Sequence, residues 1–168
     1  DKEKLAYHVS VNGQEVQGEL KNGYLGINRR WKKGDVVEIH FDMQPRVVKA
    51  KDKVAADRGR AAIERGPLVY CAEWPDNDFN ISTVLLNRHP KFQVMEKPEL
   101  LGGINEITTD AQALSYDATG RLATKDVKLT LIPYYAWAHR GEGRMEVWLP
   151  MEVEALSSQN IEDSSSYK

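Results

Sequence analysis

Apolar and polar residues alternate over short stretches of this chain, and no stretch of three helical turns repeats at the spacing of an amphipathic helix. Leu5, Tyr7, Val9 and Val11 alternate with Ala6, His8 and Ser10. They lead into Asn12-Gly13, the residue types that a two-residue hairpin turn with positive φ requires. The return strand is expected over about 14–17, and Asn22-Gly23 marks a second turn. Further on, Val37, Ile39, Phe41 and Met43 share one face of a strand, with Glu38, His40 and Asp42 on the other, until Pro45 ends it.

The central run is the least generic. Residues 68–72 are apolar and bracketed by Gly66-Pro67 and Pro75, which leave no room for a helix and predict a buried strand. Around it, strands are predicted over 46–50, 60–64, 84–86, 92–95, 104–108 and 127–131, with a single helical turn over 53–57; 111–116 fits a strand or a helical turn, and the turn residues at 117–120 favour the strand. A second hairpin is expected from 134–139 and 144–149, with Met145, Val147 and Leu149 on one face and Glu146 and Trp148 on the other. The pattern predicts an all-β protein with little helix, an antiparallel β-sandwich or two small ones packed together with a boundary near residue 74. After Pro150 the chain turns polar, and 153–168 is expected to be a flexible tail.

Composition narrows the function. Across 168 residues, 23 Lys and Arg face 25 Asp and Glu with the signs interspersed, so there is no cationic face for nucleic acid. No apolar run approaches the roughly 20 residues of a membrane span, and the opening Asp-Lys-Glu-Lys is not a signal peptide. A targeting segment could stand upstream, and the compartment is left open. The single cysteine, Cys71, excludes an internal disulfide and any multi-cysteine metal site.

Candidate chemistry is sparse. Cys71 sits between Tyr70 and Ala72 in an apolar strand, which suits a buried, inert thiol better than a nucleophile. Glu73, Asp76 and Asp78 could hold Ca²⁺, but the glycine spacing of an EF-hand is missing, so a solvated turn is the simpler reading. A hydrolase needs two carboxylates facing each other across about 5–10 Å, which one loop carrying Glu73 and Asp78 seldom provides. His8, His40, His89 and His139 each stand alone, and no nucleophile elbow is present. Asn80-Ile-Ser82 fits the N-glycosylation pattern. The aromatics Trp31, Trp74, Trp137 and Trp148, with Tyr134 and Tyr135, either fill the core or stack on sugar rings as in a carbohydrate-binding module.

Several segments together resemble one family. Asn12-Gly13, Gly23-Tyr24, Arg30-Trp-Lys-Lys-Gly-Asp35, Phe41-Asp-Met43, Arg65-Gly-Pro-Leu-Val-Tyr-Cys-Ala-Glu73 with Asp76-Asn77, and Pro133-Tyr-Tyr-Ala-Trp-Ala-His-Arg-Gly141 with Met145 and Trp148 follow in the order found in the non-catalytic C-terminal part of glycoside hydrolase family 127. That family includes the β-L-arabinofuranosidases. The likeness runs over about residues 5–150, and His139 departs from it where the family pattern has Asn.

The resemblance implies a β-sandwich middle domain over 1–74 and a C-terminal β-sandwich over 75–152, packed against an N-terminal (α/α)6 barrel. In such enzymes the barrel holds a cysteine nucleophile, a zinc ion bound by cysteines and a glutamate, and an acid/base carboxylate. None of those motifs occurs here, so no catalytic residue carries over, and no cofactor is expected in this chain. The expected role is an accessory region of a bacterial glycan-degrading enzyme, bracing the barrel and inert alone. Trp31, Trp74, Tyr135, Trp137, His139, Arg140 and Trp148 are the residues expected to meet the barrel or a glycan. If a first strand is missing, an exposed edge is expected to pair two copies into a dimer.

Overall fold

A computed structural model describes residues 6–51 and 53–156, and the chain divides between Gln44 and Pro45 into two units. The tail beyond residue 156 lies outside the described residues.

In the first unit β1 (Ala6–Val11) turns through Asn12 and Gly13, at φ 55° and 74°, into β2 (Gln14–Glu15). A separate hairpin joins β3 (Glu19–Lys21) to β4 (Tyr24–Gly26) through Asn22-Gly23. β5 (Val37–Asp42) returns antiparallel to β1, with Tyr7 opposite Phe41, Val9 opposite Ile39 and Val11 opposite Val37. The loop before β5 is tied by two side chains. Asp35 accepts from Asn12 Nδ2 and from the Lys32 N–H, both at 2.9 Å, while Asn12 Oδ1 accepts from the Val36 N–H at 2.9 Å. The Asn12 bond, then the Lys32 bond, hold the Asp35 carboxyl below the ordinary carboxylate range.

The strand at 37–42 is where its alternation predicts, but its apolar face is not closed over. Val9 and Val11 on the central strand are buried, whereas Ile39 and Phe41 on β5, at the edge of this sheet, are 54% and 49% exposed. On the other face the register sets His8 opposite His40, with the His8 ring 3.4 Å from Glu15.

The second unit is all antiparallel sheet. Its strands are β6 (Pro45–Lys49), β7 (Arg60–Arg65), β8 (Leu68–Glu73), β9 (Val84–Leu86), β10 (Gln93–Lys97), β11 (Ile104–Tyr116), β12 (Leu122–Pro133), β13 (Met145–Glu146) and β14 (Leu149–Pro150). They pair in the order β10-β11-β12-β8-β7-β14, with β6 on β7, β9 on β11 and β13 on β8. Single 3₁₀ turns at Ala55–Asp57, Trp74–Asp76, Ile81–Thr83, Tyr134–Ala136 and Val153–Ala155 join or end them. This is the all-β, antiparallel sandwich class that the alternation predicts.

Three expectations are corrected. The division does not fall near residue 74, because β8 pairs with β12, setting Ala72 opposite Leu131 and Tyr70 opposite Pro133, so one ladder ties both sides of that loop together. Residues 134–139 do not form a hairpin arm either. Pro133 ends β12, a 3₁₀ turn follows, and Ala138 takes φ 66°, while Met145–Glu146 pairs with β8 and Leu149–Pro150 with β7. The predicted strands at 104–108 and 111–116 fuse into β11, since buried Thr109 and exposed Asp110 keep the alternation and Lys128 Nζ reaches Asp110 at 3.0 Å. The β11–β12 turn is clasped by the Asp117 carboxylate, which accepts from the Thr119 N–H at 2.8 Å, the Thr119 hydroxyl at 2.7 Å and the Arg121 N–H at 3.0 Å.

The core packs on both faces of the β8–β12 pair. Ile63, Tyr70, Ile81, Leu86, Ile107 and Leu131 belong to the larger cluster. Cys71, Ile104, Ile132 and Ala136 form the smaller one. Where the β8–β12 ladder runs out, the buried Asn77 side chain takes its place. Its Nδ2 donates to the Glu73 carbonyl at 2.8 Å and the Thr130 carbonyl at 3.1 Å, and its Oδ1 accepts from the Thr130 N–H at 2.9 Å. Burial, then the nearby Glu73 and Asp76 carboxylates, push the Cys71 thiol up to about 12.

Asn77→Ala orphans three backbone groups in a dry place and is expected to cost about 3 kcal/mol in urea unfolding. Cys71 is expected to react with iodoacetamide at pH 8 roughly a thousandfold more slowly in the native chain than in urea. The fold favours the neutral thiol, since its pKa rises from 9.0 to about 12. That contribution is complete below pH 9 and is lost as pH climbs towards 12, a slope that Cys71→Ala removes when stability is followed against pH.

Candidate functional site

The chemistry-bearing side chains gather where β8 ends. Strand alternation turns Glu73 inward, and its side chain is 2% exposed. A carboxylate so placed needs a partner, and Arg140 supplies it from 67 residues further along the chain. Arg140 Nη2 donates to Glu73 Oε2 at 2.5 Å, and the same guanidinium grips Asp76 in a two-pronged pair, Nη1 to Oδ1 at 2.6 Å and Nη2 to Oδ2 at 2.5 Å. The remaining Glu73 oxygen, Oε1, accepts from the Ala138 N–H at 2.9 Å. Ala138 sits in the left-handed region that side chains avoid, and this hydrogen bond holds it there. The bonds to Asp76 first, and that to Glu73, keep the Arg140 pKa above its ordinary value.

This arrangement fastens the segment 137–144 to the end of β8. Both carboxylates are taken up by one guanidinium, and Asp78 is exposed. The solvated turn expected over 73–78 is therefore a buried ionic knot at Glu73 and a buried strand extension at Asn77, because Arg140 and Thr130 reach in from distant sequence. Among the described residues, no three His, Cys, Asp or Glu side chains converge as metal ligands.

Trp74 lies under the same segment. Its backbone N–H donates to the Arg144 carbonyl at 3.1 Å, and its indole lies so close to Gly143 that a Cβ there would stand 1.9 Å from Trp74 Cδ1. The Trp74 Nε1 is buried with no hydrogen-bond partner among the described residues. Trp137 stacks on Tyr134 with ring centres 6.1 Å apart, and Tyr135 is 60% exposed beside them in sequence. His139 is also exposed. Trp148 stands apart from the knot, half-buried in a groove of about 590 Å³ that Tyr134, Asp57, Arg60 and Glu146 also line. Trp31 belongs to the first unit, exposed, with the Arg29 guanidinium 5.3 Å from its ring centre.

The structure thus brings Trp74 and Arg140 together around Glu73, and leaves Trp148 in a groove of its own. Sequence reasoning missed Asn77 as a ladder extension, and missed Asp57, Arg60 and Glu146 as groove residues. Only the alternation that sets Glu146 and Trp148 on one face pointed that way.

Arg140→Ala leaves Glu73 buried and uncompensated and is expected to cost about 3–5 kcal/mol in urea unfolding. Gly143→Ala is expected to cost about 2 kcal/mol by driving Trp74 from its seat, seen also as a changed near-UV signal.

Residues 45–150 match the glycoside hydrolase family 127 C-terminal domain, and residues 4–43 match the beta-L-arabinofuranosidase GH127 middle domain. The two matches meet where the structure divides. A non-reducing end beta-L-arabinofuranosidase of Bifidobacterium longum subsp. longum is 35% identical over 159 residues, covering 85% of this chain and 24% of that protein. The solved structure of a GH127 beta-arabinofuranosidase shares 70% identity with a TM-score of 0.84, covering 94% of this chain and 25% of the other. A GH127 beta-L-arabinofuranosidase from Geobacillus stearothermophilus T6 shares 35% identity with a TM-score of 0.72, covering 86% of this chain and 24% of the other. The chain spans about a quarter of the length of these relatives. It belongs to glycoside hydrolase family 127, and its two units are that family's middle and C-terminal domains.

Proposed function

We propose that this chain is an accessory region of a β-L-arabinofuranosidase-like enzyme, bracing a helical (α/α)6 barrel elsewhere in the protein that supplies the nucleophile and the zinc. The observation that carries this reading is the fate of the acids. Glu73 and Asp76, two of the three acids that the sequence offered for chemistry, are both held by Arg140, so their charge is spent on fixing the 137–144 segment and Glu73 is not free to face Asp78 as a catalytic pair. Trp137 at the start of that segment and Tyr135 in the turn before it are turned outward, large aromatic faces beside a fixed base, which is the material of a domain contact. The named activity of the relatives, each about four times as long, supports the choice of parent enzyme.

The isolated chain is expected to hydrolyse no aryl β-L-arabinofuranoside and to bind no stoichiometric zinc, whereas the full-length protein does both. Turnover by the purified chain that vanishes on Glu73→Gln or Asp78→Asn would overturn the reading. In the full-length protein, Tyr135→Ala and Trp137→Ala are expected to lower stability by about 2 kcal/mol each while kcat stays at its starting value.

A further inference from the structure

The groove that holds Trp148 does not belong to the ionic knot, and its chemistry differs. Leu149 is laddered to Ala61, and the Arg60 guanidinium donates to the Trp148 carbonyl at 3.0 Å and the Ala155 carbonyl at 2.8 Å. The backbone beneath the indole is therefore fixed before any ligand arrives, which lowers the cost of binding. Tyr134 and Val69 add apolar wall.

The polar groups at the rim are mostly acceptors. Glu146 accepts from the Ser82 hydroxyl through Oε1 at 2.7 Å, leaving its second oxygen uncommitted among the described residues. The Asp57 carboxylate, half-exposed at the end of a 3₁₀ turn, makes no side-chain hydrogen bond or ion pair among the described residues. Carboxylates only accept, so an occupant must bring donors. An apolar protein surface laid over them would have to bury unpaired charge. A sugar brings hydroxyl donors at its rim and an apolar C–H face for an indole. The two carboxylates against the single Arg60 give the groove an excess of one negative charge, which disfavours uronates and phosphates. A volume of about 590 Å³ falls within the range of small-ligand sites.

We propose that this groove is a binding subsite for a neutral saccharide of one or two rings, with Trp148 as stacking platform and Asp57 and Glu146 as acceptors for ring hydroxyls. This goes beyond the bracing role and does not rest on it, since a brace with an empty groove would serve the barrel equally well.

The test is titration of the 168-residue chain with a neutral arabinofuranosyl disaccharide, a neutral glucopyranosyl disaccharide and a galacturonate disaccharide, followed by indole fluorescence and calorimetry. Saturable binding of a neutral sugar is expected with a dissociation constant on the order of 1 mM, and binding of the galacturonate roughly tenfold weaker. Trp148→Ala is expected to abolish the response, whereas Trp31→Ala, in the other unit, leaves it unchanged. Asp57→Asn alters an exposed turn without touching the core. It is expected to weaken neutral binding severalfold and to erase the discrimination against galacturonate. A flat titration with all three sugars, equal binding of neutral and acidic disaccharides by the starting chain, or a response that survives both Trp148→Ala and Asp57→Asn would overturn the proposal.

Discussion

A buried carboxylate at the end of β8 sets the terms for the second unit. Glu73 cannot stay dry and charged without donors, and the donors it has are the Arg140 guanidinium and the Ala138 amide, both on a segment with no ladder of its own. The need for charge compensation thus does for residues 137–144 what strand pairing does elsewhere. Once that segment is pinned, Gly143 lies against the Trp74 indole, the Arg144 carbonyl meets the Trp74 amide, and Met145–Glu146 falls into place beside β8. A positive φ at Ala138 is tolerated because the same bond that requires it also satisfies Glu73.

The fold was legible where the cause is local. Asn12-Gly13 and Asn22-Gly23 favour positive φ by themselves, and both are turns. Alternation located β5 and the second half of β12, because side chains must point to opposite faces whatever lies across them, and the Gly and Pro brackets located the apolar run of β8. Residues 134–139 misled because tyrosine and tryptophan are good strand formers, and a distant carboxylate overrode that preference. The same distance hid the site. Glu73, Asp76 and Asn77 read as a wet loop, and nothing in their neighbours' spacing announces Arg140 or Thr130. His8 and His40 look solitary in sequence, yet the register of β1 and β5 sets them face to face.

The two units handle polar groups differently. In the second, several buried polar groups are satisfied by distant partners: Asn77 extends a ladder, Thr83 Oγ1 donates to the Leu114 carbonyl at 2.9 Å, and the Tyr70 hydroxyl donates to the Asn105 carbonyl at 3.0 Å. In the first, the comparable care goes into a surface loop. Across the β1 turn and the entry to β5, Asn12 donates to Asp35 and accepts from the Val36 N–H, and the loop carrying Trp31 is shaped by these bonds more than by apolar packing.

The β11–β12 turn closes on itself. Asp117 collects two amides and a hydroxyl from residues 119 and 121, and the Gly120 amide donates back to the Asp117 carbonyl at 2.9 Å, so the tip is held by its own bonds. A cap of that kind is interchangeable: an affinity tag, a fluorophore attachment peptide or a longer loop inserted there leaves the ladder below to register itself through Asp110 and Lys128.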